Sequence, residues 1–324
     1  MRGQLMRLFT VEQHRQVLDD HKCNVKAADV YNTILGQLPY AVTRQNVKYW
    51  RKIFGGDKTN MAKADRALKE DRQLQAPTPL QGDIKFDPRR EYESILVIPD
   101  QHAPYQHKDA LPFLTEVARA FSPDLVVNLG DELDYHAMSF HDSDPNLDSA
   151  GVELEKGKVW LAKLAKLFPV QLVCDSNHGS MHYRKAKAHG LPVQLLRTYR
   201  EIIFPGGGGD GWEWAESWTV QTPAGPVMFK HQSSGTILVD AAHNRCNLMV
   251  GHNHGNFSVE YSSSPAALYW GCYSGCLIDK NAEAFAYGRH TLRRPIIGAT
   301  VILNGLPMLI PMRLDADGRW VGRL

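Results

Sequence analysis

Cysteine is scarce in this chain, and long apolar runs are missing. The 324 residues include five cysteines, an odd number scattered along the sequence, which argues against a disulfide framework and for a reducing compartment. No stretch approaches about 18 uncharged apolar residues, so a membrane-spanning helix is not expected. The first residues also lack the apolar core and small-residue cleavage site of a secretory signal. We therefore expect a cytoplasmic protein that does not use a membrane as its partner.

Net charge is also small, at +2, but the charge is unevenly distributed along the chain. Residues 1–76 contain 14 Lys and Arg against 8 Asp and Glu, whereas the remainder contains 23 against 27. A basic N-terminal segment joined to an acidic body indicates two separate roles. With 43% hydrophobic residues, the chain has enough apolar material to bury a full core.

The N-terminal segment, residues 1–56, is typical of a small all-helical domain. Thr10 begins a capping-box pattern, Asn24 could cap a second helix, and Thr43 could cap a third. Three short helices with a turn before a basic last helix resemble a helix-turn-helix module, which would contact nucleic acid. The alternative is a helical cap or oligomerisation arm whose charges are merely solvated. The candidate nucleic-acid contacts are Arg44, Lys48, Arg51 and Lys52.

The rest of the chain predicts a connector followed by a layered domain. Residues 57–92 are rich in proline and charge and show no periodicity, which favours a connector. From residue 93 to residue 324, continuous apolar strands first alternate with helical segments, and strands then dominate. Strands that are apolar throughout are buried on both faces, which predicts an α/β fold. We expect two sheets packed face to face with helices outside.

Polar side chains follow five of the predicted strands, at the point where each strand ends. Because strand carboxyl ends meet along one edge of such a sheet, these side chains should converge. Oxygen and imidazole ligands without thiolates suit divalent manganese, iron, zinc, nickel or cobalt. Each strand end taken singly could be a helix cap or a core hydrogen bond, but five in the same position are hard to explain that way. The five ends are Asp100-Gln101-His102, Gly130-Asp131-Glu132-Leu133-Asp134, Ser176-Asn177-His178, His231 and Gly251-His252-Asn253-His254.

This ordered set of motifs resembles the calcineurin-like metallophosphoesterase superfamily over roughly residues 94–256. The resemblance implies a four-layer α/β/β/α sandwich with two divalent metal ions, manganese before the other candidates, at the strand tips. It also implies which side chains hold them, with Asp131 bridging. One metal would be held by Asp100, His102, Asp131 and His254, and the other by Asp131, Asn177, His231 and His252.

Two further residues receive catalytic roles from the same resemblance. His178 would protonate the departing alkoxide or stabilise developing charge. In related phosphatases the second Asp of the Gly-Asp-x-x-Asp motif orients this histidine, so Asp134 is the predicted partner of His178. The alternative for Asp134 is a helix cap.

The sequence indicates the substrate class less narrowly than it indicates the metal ligands. The protein phosphatases of the superfamily carry Arg directly after the second Asp, where this chain has Tyr135, so Arg184 or Lys185 would have to contact the phosphate. This departure and the basic head favour a phosphodiesterase or nuclease that acts on nucleic acid, DNA before RNA, through a hydroxide bridging the metals. The alternatives are a phosphomonoesterase or cyclic-nucleotide phosphodiesterase with a structural head, and a binding module with a relict metal site. The arrangement of modules is similar to that of proteins carried by phages, which would place the protein in the host cytoplasm.

Overall fold

The computed structural model describes residues 8–36, 41–54, 84–139, 146–282 and 294–324. The chain forms two compact units, Met1–Ala76 and Pro77–Leu324. Among the described residues, no helix combines the length and apolar character needed to cross a membrane.

The described part of the N-terminal unit contains three helices, α1 (Val11–Asp20), α2 (Asn24–Leu35) and α3 (Arg44–Phe54). Thr10 caps α1 with the predicted capping box, and the turn predicted before α3 lies partly in residues 37–40, outside the described residues. The ring of His14 stacks on that of Phe54, with centroids 4.2 Å apart. Such ring pairs add specific geometry to the apolar burial that holds short helices together. The buried core of this unit contains five ring side chains among its aliphatic residues: Phe9, His14, Tyr31, Trp50 and Phe54.

Arg51 connects the end of α1 to the rest of this unit. Its guanidinium donates to the carbonyl oxygens of Leu18 and His21, both at 2.7 Å, and to Oδ1 of Asn24 at 3.0 Å. The last carbonyls of a helix have no partner within the helix, and a cation there also interacts favourably with the negative end of the helix dipole. The donors of Arg51, a predicted nucleic-acid contact, are engaged within the fold, and its contact with nucleic acid stays a prediction.

Replacing Arg51 with alanine should destabilise the N-terminal unit by about 2 kcal/mol, because three charge-assisted hydrogen bonds are lost from a half-buried side chain. Hydrogen exchange in the full chain should show faster exchange of the α1 amides. Lys52→Ala is the matched control, since Lys52 is exposed, and it should leave those amides within about 0.5 kcal/mol of wild type. Unchanged α1 protection in Arg51→Ala would refute the structural role.

The larger unit is built on two six-stranded sheets. Its elements are β1 (Ile84–Glu91), β2 (Ser94–Ile98), α4 (Ala110–Phe121), β3 (Leu125–Asn128), α5 (Ala150–Leu167), β4 (Val170–Cys174), α6 (Met181–Ala188), α7 (Tyr199–Ile203), β5 (Gly211–Ala215), β6 (Ser217–Thr222), β7 (Gly225–Lys230), α8 (Ile237–Asn244), β8 (Asn247–Val250), β9 (Phe257–Ser263), β10 (Leu268–Ser274), β11 (Gly298–Leu303) and β12 (Leu306–Pro311). Two short 3₁₀ turns, His136–Met138 and Val193–Leu195, lie in its loops. The first sheet has the order β12-β11-β2-β3-β4-β5, and the second has the order β1-β6-β7-β8-β10-β9.

Three clusters of buried apolar side chains join the sheets and helices of this unit. One core lies between the sheets and joins Val97 and Val127 of the first sheet to Phe229 and Trp270 of the second. A second core packs α4, α5 and α7 on the outer face of the first sheet, and a third packs α8 on the outer face of the second. The predicted α/β fold class, a four-layer α/β/β/α sandwich, is therefore confirmed.

The sheet register brings strand ends together. Strands β2, β3 and β4 run parallel, with Ile98 opposite Asn128 and Asn128 opposite Val173. In the second sheet β7 and β8 are also parallel, with Lys230 opposite Val250. Parallel neighbours end at the same edge of a sheet, so the residues that follow these five strands lie near one another.

Strand β1 lies in the last part of the predicted connector, residues 57–92, of which residues 57–83 lie outside the described residues. It pairs in parallel with β6 at the sheet edge, from Ile84 opposite Ser217 onward. The register shifts between Asp87 and Glu91, around Pro88. Proline is tolerated at an edge or bulge because it lacks a ladder donor. The proline and the charges hid this strand from pattern reasoning.

The C-terminal segment is fastened to the start of α4 by an ion pair. Arg319 contacts both oxygens of Asp109, at 2.5 and 2.7 Å, and the Trp320 amide donates to the same carboxylate at 3.0 Å. The hydrogen bonds from Arg319 lower the pKa of Asp109 to about 2. The ionised form of Asp109 is therefore more stable in the folded protein than in the unfolded chain.

Asp109→Asn should lower stability by about 1 kcal/mol or less at neutral pH, because the Arg319 side chain is half-exposed and screened. The folded pKa lies below the unfolded value, so this contribution exists above about pH 4 and disappears as pH falls towards about 2. Thermal unfolding should therefore show the two proteins converging in acid. Asp317→Asn, an exposed carboxyl in the same segment, should match wild type throughout. A difference between Asp109→Asn and wild type that persisted at pH 2 would contradict the assignment.

Candidate metal centre

The backbone at the strand ends is held in conformations that non-glycine residues rarely adopt. His102, Asp131 and His252 have φ values of 52°, 49° and 64°, and Tyr135 has 55°. Each such residue costs on the order of 1 kcal/mol or more, and it persists only where the surroundings fix it. The amides of Gln101 and His102 both donate to the Asp131 carbonyl, at 3.1 and 2.8 Å. Strain of this kind is characteristic of functional sites.

Two glycines allow the loops to approach closely. Gly130 has a φ of 92°, and a Cβ there would lie 2.6 Å from both the Cys174 carbonyl and the Ser176 Cβ. A Cβ on Gly251 would collide with Oδ1 of Asp100. These positions accept only glycine because backbone and side chain from neighbouring strands occupy the space.

The first group of converging side chains is Asp100, His102 and His254. Nε2 of His254 lies 3.1 Å from Oδ2 of Asp100 and 3.1 Å from Nε2 of His102. Asp100 is fully buried, and its Oδ1 atom has no hydrogen-bond partner. A buried carboxylate oxygen without a donor is costly unless a cation satisfies it.

The second group is Asp131, Asn177, His231 and His252. Nε2 of His231 lies 2.7 Å from Oδ1 of Asn177, 3.2 Å from Nδ1 of His252 and 3.2 Å from Oδ2 of Asp131. The same Asp131 oxygen is 3.4 Å from Nε2 of His102 in the first group. Asp131 therefore stands between the two groups, where a bridging ligand is required.

The donor set fits two divalent cations. In each group two imidazole nitrogens face each other across about 3 Å, close to carboxylate or amide oxygens, and borderline divalent metals accept this mixture. Three sets of ligand atoms, each within 4.8 Å of one another, overlap through His102 and Asp131. All seven predicted ligands are brought together: Asp100, His102, Asp131, Asn177, His231, His252 and His254.

Hydrogen bonds at one ring nitrogen of His102 and of His231 determine which nitrogen is free to bind metal. Nδ1 of His102 lies 2.6 Å from Oδ1 of Asp134, and Nδ1 of His231 lies 2.9 Å from the Leu129 carbonyl. Both oxygens accept, so each Nδ1 carries the proton and each Nε2 presents its lone pair. Such partners orient metal ligands and increase their basicity.

Charge in the centre favours an ionised Asp131 and a protonated His231 when no metal is bound. Burial disfavours protonation of His231, but the Asp131 carboxylate outweighs it and raises the pKa of His231 to about 9. Burial likewise disfavours the Asp131 anion, yet His231 and His178 hold the pKa of this carboxyl well below its usual range. Burial lowers the pKa of His102. A cation would replace the proton on His231.

The structure corrects the predicted partner of Asp134. Its carboxylate binds His102 at 2.6 Å, whereas the nearest contact to the His178 ring is 3.9 Å. Nδ1 of His178 instead donates to the main-chain carbonyl of Asp134. Asp134 thus orients His102, a predicted metal ligand, with its side chain and His178 with its backbone, and no helix begins at it.

His178 lies beside the two groups and is partly exposed. Its amide donates to Oδ1 of Asp131 at 3.0 Å, and its ring centroid is 4.6 Å from that of His102. Burial lowers the pKa of His178, but the charges of Asp131 and Asp134 more than compensate and raise it. With Nδ1 anchored, a second proton would reside on Nε2.

Arg184 and Lys185 both lie on α6. Arg184 is exposed, and its guanidinium donates to the Asn177 carbonyl at 3.4 Å, which places a cation next to a metal ligand. Lys185 is half-buried one residue further along.

Sequence reasoning missed three supporting residues. Ser176, to which the sequence analysis assigned no role, accepts hydrogen bonds from the Asp131 and Gly179 amides through Oγ, at 2.9 and 3.0 Å. Glu153 accepts from the His136 and Ala137 amides at 2.7 and 3.0 Å. Glu132, buried beside Asp131, accepts from the Trp214 indole at 3.1 Å. Glu132 is 82 residues from Trp214, so the sequence has no local signal for this contact.

Comparison with known proteins gives only distant similarities. Vps29 from Chaetomium thermophilum is similar at 13% sequence identity with a TM-score of 0.36, covering 71% of this chain and 93% of that chain. Vacuolar Protein Sorting 29 from Cryptosporidium parvum is similar at 14% identity with a TM-score of 0.37, covering 71% and 95%. No protein-family model and no curated protein matches the chain.

Proposed function

We propose that this protein is a calcineurin-like metallophosphoesterase that hydrolyses phosphodiester bonds in nucleic acid with two divalent metal ions. The observation that carries the proposal is the convergence of seven ligands from five strand ends, with Asp131 between two groups. The buried Oδ1 of Asp100, which accepts no hydrogen bond, supports it, since its burial without a nearby cation would be unfavourable.

Each group would hold one cation, through Asp131 and three further ligands. When bound, a pair of divalent cations supplies Lewis acidity and a water of lowered pKa. The protein holds the ligands ready, because Asp134 and the Leu129 carbonyl fix the orientation of His102 and His231. This preorganisation avoids rearrangement when the substrate arrives. The first group of ligands is Asp100, His102, Asp131 and His254, and the second is Asp131, Asn177, His231 and His252.

His178 would donate the proton that the leaving oxygen needs. The Asp134 carbonyl fixes its Nδ1–H, so the acidic proton resides on Nε2. The raised pKa of His178 increases the protonated fraction at neutral pH, which suits a general acid. Arg184, beside Asn177, would orient the non-bridging phosphate oxygens.

A diester fits the described surroundings better than a monoester does. Tyr135, which follows Asp134, is buried and brings no cation. A phosphodiester carries one negative charge where a monoester carries up to two, so it requires fewer cations beyond the metals. The basic N-terminal unit adds attraction for a polyanion.

A substrate panel tests the proposal. The full chain would be assayed with an aryl phosphodiester, an aryl phosphomonoester, a cyclic dinucleotide, single-stranded DNA and duplex DNA, with manganese, iron, zinc, nickel or cobalt supplied in turn. We expect hydrolysis of diesters and DNA, abolished by a chelator and restored by metal. Turnover of monoesters alone would replace the diesterase with a phosphatase. No turnover with any metal would indicate a binding module.

A further inference from the structure

Among the three described helices of the N-terminal unit, positive charge is concentrated on one. Helix α1 carries one basic and three acidic residues, and α2 carries one of each. Helix α3, RQNVKYWRKIF, carries four basic residues and no acidic one. A charge distribution this uneven among three packed helices marks α3 as the surface that meets an anion.

The exposed side of α3 is a continuous polar surface, here called the α3 face and defined as Arg44, Gln45, Lys48, Tyr49 and Lys52. Helical spacing places these residues on one side, because Arg44, Lys48 and Lys52 are four residues apart, and Gln45 and Tyr49 are also four apart. The opposite side, with Val47, Trp50 and Ile53, is buried in the core. Tyr49 is 51% exposed, although it is a large aromatic residue. Arg51 turns away to the end of α1.

We propose that the α3 face docks in the major groove of duplex DNA. This inference rests on the proposed function and specifies its substrate as double-stranded DNA. The major groove of B-form DNA is about 12 Å wide and admits an α-helix. The corresponding groove of duplex RNA is too deep and narrow for side chains to read. Single strands are bound on several stacked aromatics, whereas Tyr49 is the single aromatic of the α3 face.

The residues of the face divide into two kinds of contact. Arg44, Lys48 and Lys52 lie at intervals of four along one line of the helix, where they can neutralise phosphates on the groove wall. Gln45 and Tyr49 lie beside that line. The Gln45 amide can pair with the exposed edge of adenine, which the major groove displays. Charge contacts would supply affinity, and Gln45 would add sequence preference.

The test compares two triple variants of the full chain that remove the same charges. Arg44→Ala/Lys48→Ala/Lys52→Ala alters the α3 face, and Arg15→Ala/Lys22→Ala/Lys26→Ala removes one Arg and two Lys from exposed positions elsewhere in this unit. Fluorescence anisotropy with a labelled 20-base-pair DNA duplex, in chelator to prevent cleavage, would be measured over a range of salt concentrations. The α3-face variant should bind about tenfold more weakly per lost contact at 0.1 M salt, with the salt slope reduced by about 0.9 per contact. The matched control should bind within about twofold of wild type.

Several results would overturn the inference. Equal losses in both triple variants would indicate non-specific attraction. Equal affinity for duplex RNA or single-stranded DNA would contradict docking in a B-form groove, and displacement by poly-glutamate at matched charge would assign the face to an acidic protein.

Turnover of an aryl phosphodiester with manganese is measured in parallel. If wild type turns over this small substrate while the α3-face variant retains full DNA affinity, the inference fails and the proposed function stands. If wild type does not turn it over, the proposed function fails.

Discussion

Replacing Asp131 with asparagine should reduce kcat/KM for an aryl phosphodiester by at least about a thousandfold. The substitution removes the negative charge that lies between the two ligand groups, 3.2 Å from His231 and 3.4 Å from His102. Two cations close together repel each other without a bridging anion, and their catalytic contribution is several kcal/mol, each 1.4 kcal/mol of which is a factor of ten. Metal content by mass spectrometry should fall below two ions per chain.

The shape of asparagine makes this experiment informative. Its Oδ1 can still accept the hydrogen bond from the His178 amide, so the loop should keep its conformation. Asp124→Asn is the matched control: Asp124 precedes β3, the strand that Asp131 follows, and is partly exposed. It should retain wild-type turnover and metal content. If Asp131→Asn also retained full activity, the two-metal mechanism would have to be abandoned.

Replacing Asp134 with alanine should weaken metal binding by roughly 10- to 100-fold, the usual effect of removing a carboxylate that orients a metal-bound histidine. The Asp134 carboxylate contacts His102 at 2.6 Å, whereas His178 is held by the main-chain carbonyl, which alanine retains. Excess manganese should therefore restore most of kcat. Calorimetric titration with manganese and turnover at rising metal concentration check both statements.

The same variant distinguishes the two assignments of Asp134. If the carboxylate acted through His178, as the sequence predicted, kcat would stay low at saturating metal and manganese affinity would be unchanged. Glu155→Ala, which removes an exposed carboxylate of α5, is a control that should alter neither quantity.

Much of the fold was predictable because its signals are local. Strands β2, β3 and β4 are continuous apolar runs, and helices α4 and α5 show apolar residues at helical spacing. Strand β1 could not be predicted in this way. It contains Pro88 and several charges, and it is a strand only because β6 provides a partner. Pairing between segments more than 120 residues apart leaves no trace in either segment.

The residues of the site also differ in whether their role follows from local sequence or from contacts between remote segments. The ligands stand directly after apolar strands, so a strand-by-strand reading finds them. Ser176 binding the Asp131 amide, and Trp214 binding Glu132, depend on loops from different strands meeting. The contacts of Arg51 also depend on remote segments, because its partners are the carbonyls of Leu18 and His21 at the end of α1 and the side chain of Asn24.

The sequence alone determined the layered α/β core and the identity of the polar residues at its strand ends, because apolar periodicity and strand termination are properties of neighbouring residues. Only the tertiary structure decided how those residues pair: Asp134 with His102, Asp131 between two groups, and Arg51 with the end of α1. The physical reason is that hydrogen bonds and ion pairs depend on distances of about 3 Å. Such distances between remote segments are fixed only when the sheets pack.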